Sequence, residues 1–139
     1  MPELVGPVPL LAVAALAVND HVLKARFPGL VTGKLSDFAG AFVLPLFVSA
    51  ALALATAWPL RRRLGVGVAV TALLLAAVKL SPAAADAVVA GLDAVRAPLG
   101  VGQGRIIADP TDLVALPAAL AAWAYGVAAG RTQGREART

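Results

Sequence analysis

The sequence predicts an all-α integral membrane protein, a four-helix bundle with a short interfacial helix between spans three and four. Two observations carry this. Of 139 residues, 60% are hydrophobic and only 14% charged, with a mean hydropathy of +0.83, far from the balance of a water-soluble domain. The apolar content is also concentrated in four segments separated by short polar joints. Aromatic residues make up only 5%, so the apolar mass is chiefly Ala, Val and Leu, which suits close helix packing in lipid. One transmembrane domain over residues 1–130 and a polar tail over 131–139, read as disordered, account for the chain. The absence of cysteine removes disulfides and thiolate chemistry and gives no sign of a redox compartment.

The spans fall at about 4–18, 36–57, 64–80 and 112–129. The first contains Gly6, Pro7 and Pro9 and ends in "AVAALAVND". It lacks the basic start of a signal peptide and is read as a retained span. The second carries Pro45, tolerable in lipid where neighbouring helices satisfy the freed carbonyl, and expected to kink the span. After the third, Pro82 is placed to open a new helix over about 83–96. There Val88, Val89, Leu92 and Val95 form one stripe, and Asp86, Ala90, Asp93 and Ala97 lie on the other face. Such a helix is expected to lie on the membrane surface, because carrying Asp86, Asp93 and Arg96 through lipid is expensive. The stretch "GVGQGR" reads as a flexible turn.

The net charge of +4 does not mark a nucleic-acid binder, since the basic residues are scattered over loops and the tail. They are topology signals instead. With four spans, Arg61, Arg62, Arg63, Arg131, Arg135 and Arg138 share one face, and Lys24, Arg26, Lys34, Lys79, Arg96 and Arg105 the other, a tie. The "RRR" cluster directly after the interfacial anchor Trp58 favours both termini cytoplasmic in the cell membrane.

On the opposite face all four spans end in polar groups. Span one closes with Asn19, Asp20 and His21. Span two opens with Lys34, Ser36 and Asp37. Span three closes with Lys79 and Ser81, and span four opens with Asp109, Pro110, Thr111 and Asp112. A bundle gathers these ends into a polar rim, whose candidate ligand-binding residues are Asp20, His21, Lys34, Asp37, Lys79, Arg105, Asp109 and Asp112. Each also has a plain structural explanation. Ser36 or Asp37 can cap helix two, Asp109, Thr111 or Asp112 can cap helix four, and terminal lysines can snorkel to headgroups. A stronger expectation is that Lys34 and Asp37 join one network with Asp109 or Asp112 across the starts of helices two and four.

Known enzyme patterns are absent: there is no His-Glu-x-x-His, Gly-x-Ser-x-Gly or P-loop, and "GVGQG" lacks the context of a dinucleotide loop. The acids of "DPTD", helped by Asp37 or Asp20, are a weak candidate for Mg²⁺ or Ca²⁺. No cofactor is named by the sequence. "GVAAG" at 126–130 has the spacing of helix association.

Two motifs carry a resemblance. "GKLSDFAGAF" resembles the opening of the second span in VanZ-like membrane proteins: Lys34 and Phe38 match, Gly33 stands where an acid is usual, and Asp37 where a histidine is usual. "GRIIADPTDLVAL" resembles that family's last segment through Arg105, Asp109, Asp112, Leu113 and Ala115. One extra residue precedes the first acid, and Leu116 stands in place of an asparagine. The resemblance implies a small helical-bundle protein with its polar signature residues at one membrane face, in a family associated with glycopeptide antibiotic resistance.

Three functional expectations follow. In the first, the rim binds the headgroup of a lipid or a lipid-linked envelope precursor, with Lys34, Lys79 and Arg105 meeting phosphate. In the second, His21, Asp37, Asp109 and Asp112 assemble a metal-dependent or acid/base enzyme. In the third, the chain is a structural or accessory membrane subunit whose rim groups act only as caps and anchors; an oligomer is compatible with any of the three.

Overall fold

The computed structural model describes residues 5–27, 29–100 and 106–136. Among these the chain is all helical. Helix α1 spans Pro7–Val18 and runs on through a π-helical turn, Asn19–Leu23, into a last turn, Lys24–Arg26. Helix α2 spans Leu30–Ala55, α3 Leu60–Leu80 and α4 Pro82–Arg96, the last followed by a 3₁₀ turn at Ala97–Leu99. A second 3₁₀ segment, Pro110–Ala115, leads into α5, Leu116–Glu136. Four stretches, Pro7–Arg26, Val31–Ala55, Leu60–Leu80 and Pro110–Thr132, are long and apolar enough to cross a membrane.

The helices are longer than hydropathy alone indicates. Asn19 to His21 do not end the first helix, which continues to Arg26. Helix α2 begins at Leu30 after Gly29, so neither Ser36 nor Asp37 caps it, and Lys34, Ser36 and Asp37 occupy its second turn. The tail is helical through Glu136 instead of disordered. The physical reason is common to all three: hydropathy locates the stretch that prefers lipid, whereas backbone hydrogen bonding carries a helix on into polar surroundings until a breaker intervenes.

The chain packs as two units, Met1–Ala72 with Ala115–Thr139, and Leu73–Val114. In the first, α2 packs against α1 and α5. Its core is Leu46, Leu64, Ala122 and Val127, with Phe42, Leu60 and Tyr125 against it. The rings of Phe42 and Tyr125 lie 6.0 Å apart at 54°, a favourable tilted pairing. Much of the buried surface is small, including Ala41, Ala50, Ala119 and Ala122, whereas Leu11, Leu54 and Val31 face outward. Small residues inside and large aliphatic ones outside are what helices need when lipid is the solvent.

Glycines set the helix crossings. A Cβ on Gly67 of α3 would collide with the Pro45 carbonyl of α2, so the two backbones touch where proline has interrupted the ladder. Gly126 and Gly130 of α5 receive Leu64 and Leu60 of α3, which gives "GVAAG" a definite partner one turn apart on each helix. Thr71 returns its hydroxyl to the Gly67 carbonyl at 2.8 Å and so satisfies it within its own helix.

In the second unit, Ser81 caps α4 by accepting the Ala84 N–H at 3.3 Å, and Pro82 follows at the first helical position, as the sequence predicts. Gly100 closes the following 3₁₀ turn at φ 66°, donating its N–H to Ala97, a conformation that favours glycine. The remainder of "GVGQGR", including Arg105, lies outside the described residues.

Candidate functional site: two polar clusters

The first unit builds a polar cluster where α1 ends and α2 begins. Asn19, the only asparagine of the chain, is fully buried. Its Nδ2 donates to the Thr32 carbonyl at 2.6 Å and to Ser36 Oγ at 2.7 Å. Ser36 in turn donates its hydroxyl to Asp20 Oδ1 at 2.5 Å, and the same oxygen meets Lys24 Nζ at 2.7 Å. The result is a directed chain, from a buried amide through a hydroxyl to an ion pair at the surface, where Asp20 and Lys24 are each 41% exposed. Such relays polarise one another and hold their members in one arrangement.

Local sequence explains the placement. Thr32 and Ser36 stand one turn apart on α2 and so present a carbonyl and a hydroxyl on one face. The Thr32 hydroxyl is shared between the carbonyls of Phe27 and Gly29, tying the α1–α2 connection to the first turn of α2. On α1, the π turn is closed by the Lys24 N–H bonding the Asn19 carbonyl. It accommodates one extra residue and sets Asp20 and Lys24 on a common edge. π-turns of this kind recur at functional sites. Among the described residues Asn19 Oδ1 is buried with no hydrogen-bond partner, an uncompensated acceptor of a kind that natural interiors rarely keep.

His21 is exposed in the same turn, and Lys34 and Asp37 are half-buried on α2. Asp20, His21, Lys34 and Asp37 thus belong to one unit. Lys79, Asp109 and Asp112 belong to the other.

In that second unit Lys79 Nζ lies 2.8 Å from Asp112 Oδ2 and 3.4 Å from the Ile107 carbonyl. The ion pair is enclosed, with side-chain exposures of 7% and 11%. Asp109 takes the capping role for the helical segment that follows, accepting from the Thr111 N–H at 2.9 Å and the Thr111 hydroxyl at 2.8 Å, with Pro110 at the first helical position. The "DPTD" carboxylates therefore do separate work. Among the described residues no three His, Asp or Glu side chains gather as a metal-binding group.

Sequence reasoning left Asn19, Lys24, Thr32 and Ser36 out of the candidate site. One signal was available: a single amide directly after an unbroken apolar run must find partners or be expelled. Comparison with protein-family models, characterised proteins and solved structures finds no match.

Proposed function

We propose that this chain is a small VanZ-like membrane protein that recognises the headgroup of a lipid or lipid-linked envelope precursor at the α1–α2 rim. In this reading the four spans form a bundle in the cell membrane with both termini cytoplasmic, and α4 lies along the interface. The observation that carries it is the Asp20–Lys24 pair, exposed to the surroundings yet fixed from beneath by Ser36 and buried Asn19. A headgroup offers both complements, a phosphate for Lys24 and Lys34 and a hydroxyl or ammonium for the Asp20 carboxylate. Lys79, enclosed with Asp112, holds the scaffold and does not meet the ligand.

The test is retention of a polyprenyl phosphate and of phosphatidylethanolamine by protein in phosphatidylcholine nanodiscs. Asp20→Asn and Lys24→Met are expected to lower retention of one or both without lowering thermal stability in proportion. Retention unchanged in both variants would leave the cluster a structural device. A reporter fused to the C-terminus and found outside the cell would reverse the orientation.

A further inference from the structure

The three consecutive arginines at the start of α3 have three different environments. The Arg62 guanidinium lies 4.1 Å over the Trp58 ring, a cation–π contact at the interfacial anchor. Arg63 turns inward, its Nη1 donating to the Ser49 carbonyl of α2 at 3.0 Å. Arg61 is exposed and lines a cleft of about 340 Å³, with Pro59 and Leu60 beside it and Val127, Gly130 and Arg131 opposite.

The helical continuation of α5 creates this cleft. Val127, Gly130 and Arg131 are spaced three and four apart and share one face, so Arg131 stands across from Arg61, where a disordered tail would have left it in solution. Among the described residues neither Arg61 nor Arg131 has a salt-bridge partner. Between them the floor is apolar, formed by Val127 and by Leu60, which seats against the bare backbone of Gly130. Two guanidinium groups at the rim of an apolar floor, beside an interfacial tryptophan, are complementary to an amphiphile with an anionic head.

We propose that this cleft binds an anionic phospholipid, Arg61 and Arg131 clasping its phosphodiester while an acyl chain follows Leu60 and Val127. Planar guanidinium forks match phosphate oxygens in pairs, and basic pockets between spans favour such heads. The volume suits a glycerophosphate head, with the chains continuing along the lipid-facing helices. A free phosphate would make no use of the apolar floor. This site shares no residue with the α1–α2 cluster, so either reading can fail without the other.

The experiment is native mass spectrometry of the whole chain released from detergent, titrated in parallel with phosphatidylglycerol, phosphatidylcholine and inorganic phosphate. Phosphatidylglycerol is expected to persist on the unmodified protein and to bind at least about tenfold more weakly to R61Q/R131Q, given what two surface guanidinium groups contribute toward an anionic lipid. The R26Q/R96Q variant, with the same net charge, should bind like the unmodified protein, and R61K/R131K should retain most of the binding. Melting temperatures of all variants establish that each is folded. Equal loss in R61Q/R131Q and R26Q/R96Q would overturn the proposal in favour of bulk charge. So would phosphatidylcholine held as tightly as phosphatidylglycerol, or inorganic phosphate binding as well as the lipid.

Discussion

Lys79 and Asp112, thirty-three residues apart in sequence, form a buried ion pair at 2.8 Å. It joins the end of α3 to the 3₁₀ segment that leads into α5. Desolvating two charges is expensive, so such a pair contributes little net stability over an apolar pair, yet leaving either charge alone is costly. Lys79→Met or Asp112→Asn singly is therefore expected to destabilise by about 3–5 kcal/mol. Lys79→Met combined with Asp112→Leu should recover most of that loss. Thermal unfolding in detergent reads the difference, and a double variant no better than the singles would mean the pair is not closed in this way.

The Asn19–Ser36 link predicts non-additive energetics. Asn19→Ala removes two hydrogen bonds from a buried position and should cost about 1–3 kcal/mol. Ser36→Ala breaks the same chain from its middle. The two together should cost less than their sum by about 0.5 kcal/mol or more, since neighbours in one network couple. Simple addition in the cycle would show that the amide and the hydroxyl act separately.

Two glycines of α3 form a matched pair of tests. Gly65→Ala places a methyl group where nothing lies within 4 Å and should stabilise by up to about 1 kcal/mol through helix propensity. Gly67→Ala drives a methyl group into the Pro45 backbone, which cannot move aside as a side chain can, and should destabilise by about 1–3 kcal/mol. Similar effects at both sites would mean that α2 and α3 do not approach closely at Pro45.

Helix α4 makes a prediction about lipid contact. Leu92 and Val95 are exposed although apolar, and Asp93 is 3.9 Å from Arg96. For a helix lying on the membrane, single cysteines at Asp86 and Asp93 should react quickly with a water-soluble maleimide in vesicles. Those at Leu92 and Val95 should react slowly, because their exposure is to lipid. The chain has no cysteine of its own, so labelling reports each position without background. Equal rates at all four positions would place the helix in water.

The all-helical class and the four apolar spans were legible because lipid solvation leaves a long compositional trace. So was the start of α4, where Ser81 and Pro82 act locally. Helix ends at Arg26, Leu30 and Glu136 were not legible, since no change in hydropathy marks them. The candidate rim was legible as a list but not as partnerships. Asp112 pairs with Lys79, a partner that the expected network of Lys34 and Asp37 with Asp109 or Asp112 did not include. Asp20 is organised by Ser36, a residue placed at the rim and read as a cap but not as a partner of Asp20. Pairing depends on which helix faces meet, and a π turn alters the face without altering composition.

That turn has a consequence for how the first helix can vary. Each residue of an α-helix advances the azimuth by about 100°, and a π turn absorbs one residue more than the regular winding. Asn19–Leu23 therefore works as a phase shifter, setting the bearing of Asp20 and Lys24 independently of the bearing of the apolar stretch before it. Deleting one residue here would act as a rotation more than a shortening: the helix would stay long and apolar enough to cross a bilayer, but its charged end would point along a different meridian, away from Ser36. Lengthening or trimming the apolar part, by contrast, would leave the charged end its own local key to α2.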